Sequence, residues 1–186
     1  MIDYCSLSCN YQKLKNPVEF IRSGWIRPED IHYYEKIGID RLKLVNRGMT
    51  TKNIERVVAA YTNRSYDGNL LDLFSRPSKN IVFERDSLFR KIKYFLRPFS
   101  VNLFRLAKAK KVFAEPGIYI DNKLLEGFIE HFINEKCNDQ ECQTCSYCKE
   151  ISEKVMHFKI EQIKQNVKNY ESVLDDIITG KMFFYS

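Results

Sequence analysis

The sequence is short of the residues and runs that mark linkers and membrane segments. It has only seven glycines and five prolines among 186 residues, which argues against long disordered linkers. No window approaches eighteen apolar residues, so no transmembrane helix is expected. The opening residues Met1-Ile2-Asp3 lack the basic and apolar regions of a signal peptide. These absences predict a cytoplasmic chain without a membrane span.

The common catalytic motifs are also absent. There is no glycine-rich phosphate loop, no G-x-S-x-G and no H-E-x-x-H, and we find no internal repeat. The three histidines, His32, His131 and His157, are far apart in sequence and none is predicted to be a ligand. No pair of nucleophile and base stands out. The sequence therefore argues against a protease and identifies no catalytic residue.

What the chain does have is an ordinary globular composition with an uneven positive charge. Hydrophobic residues make up 44% and charged residues 29%, which suits one domain with a real core. Of the net charge of +6, much lies in the segment 87–113, which has interleaved aromatics, no acid and eight basic residues: Arg90, Lys91, Lys93, Arg97, Arg105, Lys108, Lys110 and Lys111. This basic segment could bind RNA by phosphate contacts and base stacking, or it could be a helix pair with solvated lysines.

The pattern of apolar residues predicts short helices and strands in alternation. Helices are expected over 16–23, from Pro28 to Ile37 with Gly38 following as the stop, and over 51–64 with Thr50 or Thr51 as the cap. A buried strand is predicted between the last two at Arg41–Val45. That rhythm is typical of a parallel α/β fold. Further along, a strand is predicted at Ile118–Ile120 and one long amphipathic helix over Glu150–Thr179.

The clearest chemical signal is a group of four cysteines spaced C-x4-C-x2-C-x2-C, here called the cysteine quartet: Cys137, Cys142, Cys145 and Cys148. In a reducing cytosol, clustered cysteines bind metals more often than they form disulfides. The C-x2-C-x2-C spacing is similar to ferredoxin loops that hold a [4Fe–4S] cluster. Zinc is the alternative metal, and structural thiols or disulfides also remain open. Cys5 and Cys9 form a second pair, which could be half of a site or simply buried thiols.

Three features near the start of the chain resemble the peptidase U32 family. Members carry a C-x3-C pair, matched here by Cys5-Ser6-Leu7-Ser8-Cys9. A family stretch like GVDSFKIEGRM is matched by Gly38-Ile39-Asp40-Arg41-Leu42-Lys43-Leu44-Val45-Asn46-Arg47. It leads to Val57-Val58-Ala59-Ala60-Tyr61, where members have V-x-x-A-Y. The family's glutamate and glycine are replaced by Val45 and Asn46.

Despite its name, the U32 family includes oxygen-independent hydroxylases of tRNA, rRNA or ubiquinone precursors, built on a barrel-like α/β fold with an iron–sulfur cluster on four cysteines. The resemblance implies that Cys5 and Cys9 are metal ligands and that Lys43 and Arg47 lie near the site. Their charges would suit an anionic substrate. Arg27, in the phrase WIRPED, is a further candidate for binding an anion.

The resemblance implies a C-terminal half of the family domain, because a complete β/α barrel needs about 200 residues or more. We therefore expect residues 1–125 to form a partial, half β/α-barrel-like domain and residues 126–186 to carry the cysteine loop and a long C-terminal helix. A second polypeptide or a second copy of the chain would complete the barrel. The expected function is one part of an iron–sulfur hydroxylase acting on RNA or an anionic small molecule; the alternative is a non-enzymatic metal-binding subunit or RNA-binding module with a structural four-cysteine site.

Overall fold

The computed structural model describes residues 4–44, 49–74, 102–134, 137, 142 and 144–183. Its elements in chain order are α1 (Tyr4–Lys15), α2 (Val18–Ile21), α3 (Ile31–Lys36), α4 (Thr51–Thr62), α5 (Leu103–Ala109), β1 (Ile118–Ile120), α6 (Phe128–Asn134), α7 (Tyr147–Val155), β2 (Met156–Phe158) and α8 (Ile160–Ile178). Short 3-10 turns lie at Pro28–Asp30, Leu70–Leu73, Lys110–Phe113 and Lys123–Leu125. Among these residues, no helix combines the length and apolar character needed to cross a bilayer.

The described residues fall into two compact units that are interleaved in sequence. The first unit contains residues 4–16, 102–117 and 159–183, and the second contains residues 17–44, 49–74, 118–134, 137, 142 and 144–158. Both units are therefore assembled from segments on either side of position 125. The predicted domains 1–125 and 126–186 are not tested by this division into units, and they stay a prediction.

The first unit is a helical packing of α1, α5 and α8. Leu7 and Leu14 lie about two turns apart on the same face of α1, and both are buried. Helix α1 packs against α8. Asn102 caps α5, its side-chain oxygen accepting hydrogen bonds from two backbone N–H groups. Arg105 on that helix pairs with the buried Asp176 of α8. Cys5 and Cys9 belong to this unit, since both lie on α1.

The second unit is built around a small antiparallel sheet. Strand β1 pairs with β2 so that Ile118 lies opposite Phe158 and Ile120 opposite Met156. Ile118 and Ile120 are buried while Tyr119 between them is exposed, the alternation expected of a strand with one buried face. Large fully buried side chains of this unit come from several elements: Ile21, Val57, Leu70, Leu125 and Val155.

Several local predictions are confirmed. Thr50 caps α4 by accepting a hydrogen bond from the N–H of Asn53. Gly38 follows α3 with a φ of +89°, a conformation that favours glycine. The strand at Ile118–Ile120 is present.

Two other secondary-structure predictions are wrong. Arg41–Leu44 has no regular secondary structure, and Val45 lies outside the described residues. The helix predicted over Glu150–Thr179 is interrupted, because residues 156–158 pair with β1 as a strand and Met156 is buried. A half β/α barrel is neither shown nor contradicted, so that fold class stays a prediction.

Tyr61 on α4 provides a test of packing in the second unit. Its hydroxyl donates a 2.6 Å hydrogen bond to the carbonyl of Ile26, and burial, followed by the nearby Glu29 carboxylate, raises the pKa of Tyr61 to about 12. The unfolded chain loses this proton near pH 10, before the folded chain does. The contribution of Tyr61 to stability is therefore complete below pH 10 and is lost as the pH rises toward 12.

We expect Tyr61→Phe to lower the free energy of unfolding by about 1 kcal/mol at neutral pH, since one hydrogen bond is removed. The variant should also lose less stability than the wild type between pH 10 and 12. Urea unfolding at a series of pH values measures both effects. Parallel pH profiles for the two proteins would contradict the assignment of the alkaline loss to this hydroxyl.

Candidate functional site

The second unit contains a cavity of about 290 Å³ where helix α2 packs against helix α7. Three members of the cysteine quartet contribute to its wall. The full lining is Ile21, Arg22, Ser23, Trp25, Ile26, Arg27, Asp30, Tyr34, Phe128, Ile129, Phe132, Cys137, Cys142 and Cys148. The cavity thus combines thiols, two guanidinium groups and an apolar wall, although these residues come from distant parts of the sequence.

The cysteine quartet is only partly gathered. Cys148 lies in the first turn of α7 and is half-buried, as is Cys142, whereas Cys137 and Cys145 are exposed. Cys145 does not line the cavity. Within the part of the chain that the structure describes, no three His, Cys, Asp or Glu side chains are close enough together to hold a metal ion. The intervening residues 138–141 and 143 lie outside that part.

Arg22 sits at this site although the sequence did not single it out. Its guanidinium lies near the Cys148 thiol in the cavity wall, and its Nη1 is 3.0 Å from Oε1 of Glu19. Burial raises the pKa of the Cys148 thiol, the nearby Cys142 and Cys137 raise it further, and Arg22 opposes this rise. A cation therefore lies beside a half-buried thiol of the cavity.

Aromatic rings form a continuous wall beside the thiols. Phe128 stacks on Trp25 with ring centres 5.2 Å apart and on Tyr147 at 5.7 Å, and it meets Phe132 edge to face at 5.0 Å. His131 stacks on Tyr147 at 3.7 Å. Because Tyr147 directly precedes Cys148, this ring packing holds the start of α7 against α6.

Arg27, the predicted anion-binding residue, is a buried link between distant segments. Its side chain is 3% exposed. Nη1 lies 2.7 Å from the carbonyl of Leu125, Nε lies 3.2 Å from Oδ1 of Asn122, and the carboxylates of Asp30 and Glu29 are each 3.5 Å away. These contacts occupy much of the donor capacity of the guanidinium. They identify a structural role, and the predicted substrate contact remains a prediction.

The other predicted site residues lie outside this cavity or outside the description. Lys43 is exposed in the irregular segment after α3, and Arg47 falls among the residues that the structure does not describe. Cys5 and Cys9 lie one turn apart on α1 and are exposed, so they share one face of that helix. Their proposed role as metal ligands is untested by these observations.

Only the end of the basic segment is described. Residues 87–101, with Arg90, Lys91, Lys93 and Arg97, lie outside the described part of the chain. In the described part, Lys108, Lys110 and Lys111 are exposed and Arg105 is paired with Asp176. The prediction of RNA binding by this segment therefore stays a prediction.

Comparison with known proteins supports the resemblance at a coarse level. The chain is 30% identical over 157 residues, 84% of its length, to a protein of Methanocaldococcus jannaschii named "Uncharacterized protease". No protein-family model and no solved structure matches it. The aligned region is 36% of the archaeal protein, so the chain spans about a third of that relative's length. The chain is thus similar, over most of its length, to part of a longer protein named as a protease.

Proposed function

We propose that this chain is one part of a U32-type protein that binds an iron–sulfur cluster through the cysteine quartet. The observation that carries the proposal is the joint presence of Cys137, Cys142 and Cys148 in the wall of one cavity, with Arg22 against Cys148. The similarity to a relative named as a protease supports the U32 assignment, because that family bears a peptidase name.

The donor set suits a thiolate-bound group. Thiolates are the ligands of iron–sulfur clusters, and four of them within twelve residues can close on one group with a small entropic cost. A cluster places its four thiolates on separate irons, so its ligands need not converge as tightly as the four ligands of a single tetrahedral ion. Cys142 and Cys148 are half-buried, which would shield such a group from solvent on one side.

The reaction that fits this proposal is oxygen-independent hydroxylation of an RNA or of an anionic small molecule, in the reducing cytosol. A small-molecule oxygen donor other than O₂ would supply the oxygen atom and take up the two electrons. A bound cluster would supply electron transfer, and the residues of the chain would bind and orient the substrate. The apolar wall of Trp25, Phe128 and Phe132 can pack against a planar group and exclude water. A second polypeptide or a second copy of the chain completing the assembly is part of the same proposal.

Metal and sulfide analysis after anaerobic purification tests the proposal directly. The wild-type chain should contain iron and acid-labile sulfide and absorb near 400 nm, as expected of about one thiolate-bound cluster per chain. Cys142→Ser should lose most of the iron and sulfide, because a ligand is removed. The double variant Cys5→Ser with Cys9→Ser is the matched control and should retain the quartet's iron and sulfide.

Two results would contradict the proposal. A colourless protein that holds stoichiometric zinc and no sulfide would identify the quartet as a zinc site. Equal loss of iron in Cys142→Ser and in the double control would place the metal elsewhere or show that the ligands are shared.

A further inference from the structure

We infer that Arg22 is a positioning residue for the cysteine quartet: its guanidinium shares one cavity wall with Cys137, Cys142 and Cys148, and it balances the negative charge of the bound thiolates. The inference rests on the proposed function and goes beyond it, since neither the cysteine spacing nor the U32 resemblance points to Arg22. It makes the short helix α2 part of the candidate site.

Backbone structure brings the two residues together. Arg22 is the C-terminal cap of α2, and its N–H bonds to the carbonyl of Val18 at the start of that helix. Cys148 is in the first turn of α7, against which α2 packs. Both side chains line the same cavity. The packing of the two helices therefore places both side chains at the same cavity.

Glu19 orients the guanidinium. It lies one turn earlier on α2, and its carboxylate is 3.0 Å from Nη1 of Arg22. A guanidinium has five N–H donors in a rigid plane, so a bond to Glu19 and a bond to Cys148 can coexist. The carboxylate on one edge thus directs the remaining donors of the Arg22 side chain toward the cavity.

The expected chemical effect follows from charge. Four thiolates bring four negative charges to the site, and reduction of a bound cluster adds another. A cation beside a half-buried sulfur opposes this accumulation more strongly than it would in water. Hydrogen bonds to cluster sulfurs raise the reduction potential. Arg22 should therefore favour both retention of the group and its reduction.

A simpler interpretation is that Arg22 only forms an i,i+3 ion pair with Glu19 on the surface of a short helix. Such a pair contributes about 0–1 kcal/mol to stability and has no effect on a bound metal. The two readings differ in what removal of the guanidinium does to iron binding, and the following comparison separates them.

The full 186-residue chain is reconstituted anaerobically with iron and sulfide, and three variants are compared with the wild type. Arg22→Gln removes the charge, Arg22→Lys retains charge without the planar fork, and Arg56→Gln is the control. Arg56 is matched in exposure, 34% against 33% for Arg22, and it also pairs with a carboxylate, Asp72, but does not line the cavity. Iron affinity is measured by chelator competition, and the midpoint potential by titration with dithionite.

We expect Arg22→Gln to weaken iron affinity by about 10–100-fold, the usual effect of losing a residue that supports a metal ligand. Its midpoint potential should become more negative. The iron affinity and midpoint potential of Arg22→Lys should lie between those of Arg22→Gln and the wild type. Those of Arg56→Gln should match the wild type. Circular dichroism of each variant checks that the fold is retained, which we expect because Arg22 is a third exposed.

The possible failures are distinguishable. If the wild type holds an iron–sulfur cluster and Arg22→Gln equals it in affinity and potential, the inference on Arg22 is overturned while the proposed function stands. If the quartet binds zinc, the same variants are compared by zinc affinity, and an unchanged affinity overturns the inference. A wild-type chain that binds neither metal overturns both.

Discussion

Arg27→Gln should lower the free energy of unfolding of the chain by about 3–5 kcal/mol, because it removes one partner from a buried charged network. Arg27 is the only cation in direct contact with both Glu29 and Asp30 among the ion pairs of the described residues, and Asp30 is itself buried. The guanidinium also satisfies Asn122 and the carbonyl of Leu125. Glutamine cannot reach these groups, so several buried polar atoms would lose their partner.

Urea unfolding followed by the fluorescence of Trp25, the single tryptophan in the sequence, measures this loss within the second unit. Arg64→Gln is the control, since Arg64 is 53% exposed and pairs with Glu35 at 2.8 Å. An exposed pair of that kind contributes about 0–1 kcal/mol. If Arg27→Gln costs no more than the control, the buried network is not a major source of stability, and the predicted anion-binding role of Arg27 gains weight.

Phe128→Ala should be comparably damaging, with a loss of about 3–5 kcal/mol for a buried phenylalanine. Phe128 is 8% exposed and packs against three other rings, those of Trp25, Phe132 and Tyr147. Its truncation leaves a void in the wall of the cavity. We also expect the fluorescence of Trp25 in the folded state to shift, because its stacking partner is removed.

The control for this variant is Phe104→Ala on α5. Phe104 is 91% exposed, so its truncation should change the free energy of unfolding by no more than about 0.5 kcal/mol. Phe128→Leu should fall between Phe128→Ala and the wild type, since it retains most of the buried volume. A loss below 1 kcal/mol for Phe128→Ala would mean that the cavity wall collapses readily and is not a preformed surface.

Local structure was predictable where a single turn or cap determines it. As their residue types predict, Thr50 caps α4, Gly38 follows α3 with a positive φ, and Ile118–Ile120 forms a strand. The interruption of the predicted C-terminal helix was not predictable in this way. Residues 156–158 carry no strong breaker, and they become a strand because β1, far away in sequence, offers its hydrogen-bonding edge. Pairing of this kind depends on tertiary structure, and the helical periodicity of the sequence cannot report it.

The candidate site also has a part that the sequence predicts and a part that only the tertiary structure determines. Spacing alone identifies the cysteine quartet, because four thiols within twelve residues can reach one group whatever the rest of the chain does. The sequence alone also suggests the U32 relationship, to which the archaeal relative lends coarse support. It contains no sign that Arg22, Trp25 or Phe128 belongs beside those thiols. Only tertiary packing decides that. Helix α2 packs against α7, which lies more than a hundred positions further along the chain, and Phe128 of α6 stacks on Trp25 and Tyr147. Burial, and not local propensity, selects these contacts.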